Sequence, residues 1–233
     1  MLKRALKRLW PGIFGFSGLL MLLVGSTLAL SWAPPERHMG DVSRIFSIHV
    51  PVAQNALLVL LFAFCFAIAS LWTGRRRWDA ATTAAVEVGV VLTLLLLPTG
   101  MLWARPTWGV WWTWDVRLTT SLIGLILFAT VLALRSFVED EGRRATWTAV
   151  TTIVAFVDVP LIYFCVRWWR SLHQVQSSPE TVDAMMVLPY RINAFGVLFL
   201  AIYLIALRSR LEMRRLAGEE VAPPPRLASS TAL

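Results

Sequence analysis

Long apolar stretches alternate along the chain with short polar breaks. Six of them have about 20 apolar residues, the length that crosses a hydrocarbon core of roughly 30 Å, so each is predicted to be a transmembrane helix. Their predicted bounds are 12–32, 50–72, 82–103, 118–138, 146–166 and 188–207. The pattern therefore predicts an all-α, polytopic membrane protein with six transmembrane helices.

The composition agrees with this pattern and excludes an ordinary soluble protein. Of the 233 residues, 57% are hydrophobic and 15% are charged, and the mean hydropathy is +0.64. Beyond residue 207 the chain is basic, then rich in proline, then small and polar. We therefore predict two regions: a six-helix membrane domain at 1–207 and a disordered cytoplasmic tail at 208–233.

The net charge of +8 is best explained by topology. With the N-terminus in the cytoplasm, 15 of the Lys and Arg residues fall on the cytoplasmic side and 7 on the outer side. This excess follows the positive-inside rule and predicts that both termini are cytoplasmic. The expected partner of these basic residues is membrane lipid and not nucleic acid.

The same topology collects the tryptophans on the outer side. Eight of the twelve fall near or beyond the outer ends of the predicted spans: Trp32, Trp103, Trp108, Trp111, Trp112, Trp114, Trp168 and Trp169. An aromatic belt populates both membrane interfaces more evenly, so the asymmetry indicates a function at this face. The densest stretch is "WGVWWTWDVRLTT", Trp108 to Thr120, in the outer loop between spans three and four.

All three histidines are predicted to lie on the outer side as well. His49 stands in "SIHVP" at the mouth of the bundle, and His173 follows the fifth span in a segment expected to form a short surface helix. His38 lies in a polar loop and is expected to be solvated. Neutral imidazole is the general axial ligand of haem iron, whereas a lone interfacial histidine is more commonly a hydrogen-bonded structural residue. From the residues alone, both interpretations stay open.

A haem site also needs flat apolar rings around the porphyrin and cations for its two propionates. The outer side offers both kinds of residue. The candidate rings are those of Trp108, Trp111, Trp112 and Trp114, and the candidate cations are Arg44, Arg117, Arg167 and Arg170. A zinc site is less favoured, because too few outer His, Cys, Asp or Glu residues stand at ligand spacing.

The tryptophan-rich stretch closely resembles the signature of the haem-handling membrane proteins of cytochrome c biogenesis. Three further features restrict the resemblance to one family of that superfamily: the six spans, "IHVP" at 48–51 and "WWRSLHQ" at 168–174. Within that superfamily the chain resembles the haem exporter protein C (CcmC) family of the bacterial cytochrome c maturation system. The resemblance covers nearly the whole chain except the C-terminal tail.

This resemblance implies a function and a set of partners. His49 and His173 would be the axial ligands of haem b, held by the tryptophan loop at the periplasmic face of the bacterial inner membrane. A membrane-anchored periplasmic haem chaperone would receive the haem. The other implied partners are an ABC ATPase subunit, a second membrane subunit and a small single-helix subunit. No enzymatic activity is expected, since the sequence shows no nucleophile–base set.

Within the implied site, Arg117, Arg44 and Arg170 are the predicted haem-binding cations. Trp111 and Trp114 are expected to contact haem or the chaperone. Asp115 is expected to be structural, pairing with Arg117 or accepting from backbone N–H groups where the fourth helix begins.

The alternative function is a transporter that conducts haem or another solute through its own bundle. Such a conduit shows polar or broken helices near the membrane midplane. The hints of this kind are Glu87, Pro98, Asp158 and Pro160. We expect Glu87 and Asp158 to make hydrogen bonds between packed helices.

Overall fold

The computed structural model describes residues 2–36, 39–173 and 183–221, and these residues are mostly helical. The elements are α1 (Leu2–Ser31), a short 3-10 helix (Asp41–Ile45), α2 (Phe46–Thr73), α3 (Arg76–Trp108), α4 (Val116–Phe137), α5 (Glu141–Phe156), α6 (Asp158–Trp168) and α7 (Ala184–Val221). Within these described residues, six segments are long and apolar enough to cross a membrane, with α5 and α6 together forming one of them. The predicted all-α, polytopic membrane fold is confirmed.

The third helix is longer at both ends than the apolar pattern predicted. It runs from Arg76 to Trp108, whereas the pattern predicted 82–103. Apolarity marks only the part of a helix at lipid depth, while its backbone hydrogen bonds continue beyond that depth. The helix ends at Gly109, whose left-handed φ of 78° lets its N–H donate to the Arg105 carbonyl. The tryptophan-rich loop is therefore 109–115, and Trp108 is the last helical residue.

The fifth predicted span, 146–166, is broken near its middle. Helix α5 ends at Phe156 and α6 begins at Asp158, with a tight turn between them in which Val157 N–H donates to the Val154 carbonyl. Pro160 explains the break, because it has no N–H to donate to the carbonyl four residues earlier. Helix α6 is thus a separate element that ends at Trp168, close to His173.

Helices α2 and α3 form the centre of the bundle. Helices α4 and α5 pack against them on one side, and α7 packs on the other side with α1 along it. Two clusters of buried apolar side chains fill the spaces between these helices. Their members include Val59, Leu60, Val86, Leu92, Phe128, Val131, Val159 and Val197. The hydrophobic core therefore lies along α2 and α3.

A buried charged cluster joins four helices at the end of the bundle away from the histidines. The Arg135 guanidinium donates to both carboxylate oxygens of Asp79, at 2.8 and 2.9 Å, and to Glu212 at 2.8 Å. It also donates to the Thr148 hydroxyl at 3.0 Å. All three charged side chains are about 95% buried. This cluster links α4 to α3, α5 and α7.

The two acids inside the predicted spans differ in their environment. Glu87 accepts two hydrogen bonds from Arg208, at 2.5 and 2.7 Å, which confirms the expected bond between packed helices. Asp158 lies against Gly124, and its buried Oδ2 has no hydrogen-bond partner within the described part of the chain. The expected hydrogen bond between packed helices is therefore present at Glu87, whereas Oδ2 of Asp158 makes none with the described residues.

The prediction that a disordered tail begins at residue 208 is wrong for its first part. Helix α7 continues to Val221, with Glu212 and Leu216 both buried. The basic composition of this stretch suggested disorder. The contact that holds it, between Glu212 and Arg135, joins residues 77 positions apart and so has no local signal in the sequence. The remainder of the predicted tail, 222–233, lies outside the described residues.

Candidate functional site

His49 and His173 lie at the same end of the bundle, which we call the histidine end. His49 is in the first turn of α2, and His173 follows α6. The two imidazoles are close enough to interact electrostatically, and Arg117 acts on both of them. The structure thus brings together the two histidines that the sequence singled out. His38 lies outside the described residues.

The hydrogen bond between His49 and Thr99 defines which ring nitrogen of His49 carries the proton. Thr99 Oγ1 is 2.9 Å from His49 Nδ1. The carbonyls of Leu95 and Leu96 lie 2.9 and 3.0 Å from this hydroxyl, and with its one proton directed to them the oxygen accepts from the imidazole. His49 Nδ1 therefore carries the ring proton, and Nε2 carries the lone pair that binds a metal.

The helix α3 also shapes the space around the His49 ring. A Cβ atom added at Gly100 would lie 3.1 Å from His49 Cε1, so the glycine permits this close approach. Trp103, one turn further along α3, meets the imidazole edge-on with ring centroids 5.6 Å apart. The indole N–H of Trp103 is buried and has no partner among the residues that the structure describes. His49 is thus held in one orientation by three neighbouring positions of α3.

Asp115 joins the tryptophan loop to the segment that carries His173. As the N-cap of α4, its carboxylate accepts from the backbone N–H of Arg117 at 3.1 Å. The same carboxylate accepts from Leu172 N–H at 2.8 Å, from Ser171 Oγ at 2.9 Å and from His173 Nδ1 at 3.0 Å. The expected structural role, accepting from backbone N–H groups, is confirmed. The predicted surface helix at His173 is wrong: α6 ends at Trp168 and the following residues are tied to Asp115.

The electrostatics of this pair favour a neutral His173 beside an ionised Asp115. Burial raises the pKa of Asp115, but hydrogen bonds from Leu172, Ser171, Arg117 and His173 together hold it below its ordinary 3.8. Burial lowers the pKa of His173 below 6.5, although the hydrogen bond to Asp115 opposes that shift. Since an ionised carboxylate only accepts, His173 Nδ1 carries the ring proton and Nε2 carries the lone pair.

Ser171, His173 and Asp115 are the residue types of a hydrolytic triad, but their arrangement is different. In a triad the histidine receives the proton of the serine hydroxyl. Here the serine hydroxyl and the imidazole both donate to Asp115, and the Ser171 oxygen accepts from the His173 backbone N–H. These contacts position His173 and do not activate Ser171 as a nucleophile.

The four tryptophans of the signature differ in their contacts and in their exposure. Trp108 meets the His173 ring edge-on, with centroids 5.0 Å apart, and Trp112 meets Trp114 edge-on at 5.7 Å. Trp111 and Trp114 are 52% and 76% exposed. Trp108 is therefore a neighbour of a candidate ligand, while Trp111 and Trp114 present open surface at the same end.

The predicted cations are not equally well placed. Arg117 lies near both histidines, donates to the Tyr163 carbonyl at 3.4 Å and has a buried Nε without a partner in the described chain. Arg44 instead pairs with Asp41 at 3.3 Å and donates to the Leu30 carbonyl. Arg167 stacks over Phe164, and Arg170 is exposed. Of these four, Arg117 is the one whose charge acts on both histidines.

Sequence reasoning missed Thr99, Gly100, Trp103 and Ser171 as parts of this site. A weak signal existed in Pro98–Thr99–Gly100, which interrupts an apolar run near the histidine end. Nothing in the sequence pattern connects that run to His49, 50 residues earlier. The contact depends on how α2 packs against α3.

The donor set fits haem better than a bare metal ion. Within the described ranges, no group of three or more His, Cys, Asp and Glu side chains is placed to hold a metal. Two imidazoles with available Nε2 atoms are two ligands, and a porphyrin supplies the other four. Aromatic rings and a cation beside them match the faces and the propionates of that macrocycle.

Comparison with known proteins identifies the family of the chain. The family model described as "Heme exporter protein C" (CcmC) matches residues 2–222. The chain is 36% identical to "Heme exporter protein C" of Bradyrhizobium diazoefficiens, with 85% of this chain and 78% of the relative covered. It is 34% identical to the protein of that name in Haemophilus influenzae, covering 86% and 83%. For the one in Escherichia coli K12 the identity is 31%, covering 83% and 80%. The chain belongs to the haem exporter protein C family.

Proposed function

We propose that this protein holds haem b between His49 and His173 and delivers it to a membrane-anchored haem chaperone during cytochrome c maturation. The observation that carries the proposal is that the two histidines use the same ring nitrogen in a hydrogen bond. Each uses Nδ1 in a hydrogen bond, with Thr99 or with Asp115. Each therefore keeps Nε2 for iron, at the same end of the bundle.

The histidine end faces the periplasm in this proposal. The excess of 15 basic residues over 7 favours an inner-membrane orientation with both termini in the cytoplasm. Helix α7 then ends in the cytoplasm, and the tryptophan loop lies outside. Haem is thereby held where a periplasmic acceptor can reach it.

The surroundings of the two ligands suggest a role for each neighbour. Trp108 packs against one ligand, and Arg117, with its unpartnered Nε, is the cation best placed for a propionate. Arg44 and Arg170 remain secondary candidates for the propionates. The open rings of Trp111 and Trp114, together with Trp112, supply a platform for the porphyrin and a docking surface for the chaperone.

The family resemblance adds partners to this proposal. They are an ABC ATPase subunit, a second membrane subunit and a small single-helix subunit, which together would form the maturation complex. The exposed apolar surface of α1, which includes Phe16 and Leu23, can contact lipid or a helix of a partner subunit. No role with nucleic acid is proposed.

The alternative, conduction of haem through the bundle, has less support. Beneath the histidine end, a cavity of about 10 Å³ is lined by Ala56, Leu60, Thr93 and Gly124 among others. That volume holds about one water molecule. Haem would need a large rearrangement of α2, α3 and α4 to pass this point.

The test is to purify the protein from haem-replete membranes and to compare its absorption spectrum with those of His49→Ala and His173→Ala. We expect a Soret band in the wild type that is lost or shifted in each variant. A wild-type protein that never carries haem, alone or with its chaperone, would refute the proposal.

A further inference from the structure

The two candidate ligands have hydrogen-bond partners of different charge. His173 Nδ1 donates to the carboxylate of Asp115 at 3.0 Å. His49 Nδ1 donates to the neutral hydroxyl of Thr99 at 2.9 Å. The distances are nearly equal, so the difference between the two hydrogen bonds comes from the charge of the acceptor.

The carboxylate partner makes His173 the more basic ligand. A carboxylate that accepts from the distal N–H of an imidazole increases electron donation from the other nitrogen to a metal. Asp115 is well suited to this role, because three further donors, Arg117 N–H, Leu172 N–H and the Ser171 hydroxyl, fix the position of its carboxylate. The His173 segment is also held to the loop by the Leu172 and Ser171 contacts.

Thr99 gives His49 orientation without comparable electron donation. Its hydroxyl proton is already donated to the carbonyls of Leu95 and Leu96, so the oxygen is a neutral acceptor. Gly100 and Trp103 restrict the ring further. His49 is therefore well placed but weakly basic compared with His173.

We propose that the two histidines bind haem iron unequally, with His173 as the stronger ligand and His49 as the exchangeable one. This rests on the proposed function, since it concerns the same site. A nitrogen or oxygen ligand from an acceptor protein would then replace His49 and leave His173 bound. The protein would thus release its cargo from the side of α2 and α3. Asp115 and Thr99 are positioning residues in this scheme.

The test compares His49→Ala with His173→Ala under identical haem loading. We expect His49→Ala to bind haem roughly tenfold or more tightly than His173→Ala, the size of effect seen when such an outer hydrogen bond is altered. In the reduced state, resonance Raman spectra should show a higher iron–imidazole stretching frequency in His49→Ala than in His173→Ala. Adding Asp115→Asn to His49→Ala should lower that frequency.

A second pair of variants keeps both histidines and so does not depend on the alanine variants folding. Asp115→Asn should weaken haem binding more than Thr99→Val, and Thr99→Ser should restore the wild-type spectrum because it keeps the hydroxyl. Helical content by circular dichroism confirms that each variant is folded.

The outcomes separate this inference from the proposed function. If both histidine variants bind haem equally and more weakly than the wild type, the two-histidine site stands and the inequality is refuted. Tighter binding or a higher frequency in His173→Ala also refutes the inequality, as does a Thr99→Val effect as large as that of Asp115→Asn. If neither histidine variant differs from the wild type, the proposed function itself fails.

Discussion

The carboxylate of Asp115 lies 3.0 Å from Nδ1 of His173, a residue 58 positions further along the chain. This contact joins the tryptophan loop to the segment after α6. It gives the acid in the signature a specific task, because the same carboxylate caps α4 and orients a candidate haem ligand.

Replacing Asp115 with Asn tests that task. Asn is as good an N-cap as Asp, so α4 should keep its start. The charge beside His173 is lost, and haem affinity should fall about 10- to 100-fold. Haem titration followed by absorption measures the change. The matched control is Asp140→Asn, since Asp140 caps α5 through Arg143 N–H at the other end of the bundle. Equal affinities in the two variants would contradict the assignment.

Replacing Gly100 with Ala tests the close packing of His49 against α3. The added Cβ would lie 3.1 Å from His49 Cε1, so the ring must move. Alanine favours a helix over glycine by about 1 kcal/mol, so a loss of haem affinity would not reflect a weaker helix. Gly12→Ala is the control, because in the described chain its added Cβ has no neighbour within 4 Å apart from the adjacent residues and the backbone of its own helix. We expect an altered Soret band in Gly100→Ala alone, and a wild-type band there would exclude the packing argument.

The acid sensitivity of haem binding should reflect the lowered pKa of His173. Neutral imidazole binds iron and imidazolium does not, so protonation competes with ligation. Burial lowers this pKa below 6.5 despite the opposing effect of Asp115. Between the lowered pKa of His173 in the folded protein and the ordinary 6.5 of the unfolded chain, the folded protein binds fewer protons. The stability of the folded protein therefore falls as the pH falls below 6.5. A titration of the Soret band should show haem retained at pH 6.5 and lost below it; half-loss at or above pH 6.5 would contradict this.

Arg135 should be essential for stability, although it lies far from the histidines. Arg135→Met removes the buried cation that Asp79 and Glu212 share, at a cost of about 3–5 kcal/mol, although the exposed Arg215, 3.8 Å from Glu212, still pairs with that acid. The thermal unfolding midpoint in detergent should therefore fall markedly. The control is Arg214→Met, a substitution of an exposed residue of α7. If both variants unfold at the same temperature, Arg135 does not stabilise the protein as expected.

Trp114 should act in transfer and not in folding. Its ring is 76% exposed at the histidine end, whereas Trp72 is 87% exposed near the opposite end of α2. Trp114→Ala should therefore lower the yield of haem-loaded chaperone while the protein still inserts, and Trp72→Ala should leave the yield unchanged. Haem staining of the chaperone in membranes measures the yield. Normal loading by Trp114→Ala would argue against the platform.

The helices and the placement of the two histidines at one end of the bundle could be predicted from the sequence because their signals are local. Apolar length marks the spans, and the unusual density of tryptophan marks one end of the bundle. The hydrogen-bond partners of the two histidines could not be predicted in the same way. Thr99 reaches His49 only because α2 and α3 pack together, and Ser171 reaches Asp115 across the loop.

Two of the wrong predictions, the disordered tail from residue 208 and the unbroken fifth span, have separate origins. The stretch after Leu207 looked like a disordered tail because Glu212 is held by Arg135, 77 residues earlier in the chain, and Arg135 in turn binds Asp79, 56 residues before it. The division of the fifth span at Val157 needed the local geometry around Pro160. Long-range ion pairs and helix breaks at a single proline are poorly marked by composition.

The most direct test of the central claim is near-infrared magnetic circular dichroism of the oxidised, haem-loaded protein. The charge-transfer band of low-spin ferric haem reports the identity of both axial ligands. We expect the signature of two histidines in the wild type, and its disappearance in His49→Ala and in His173→Ala. A wild-type spectrum with any other ligand pair, or a two-histidine spectrum that survives either substitution, would contradict the account.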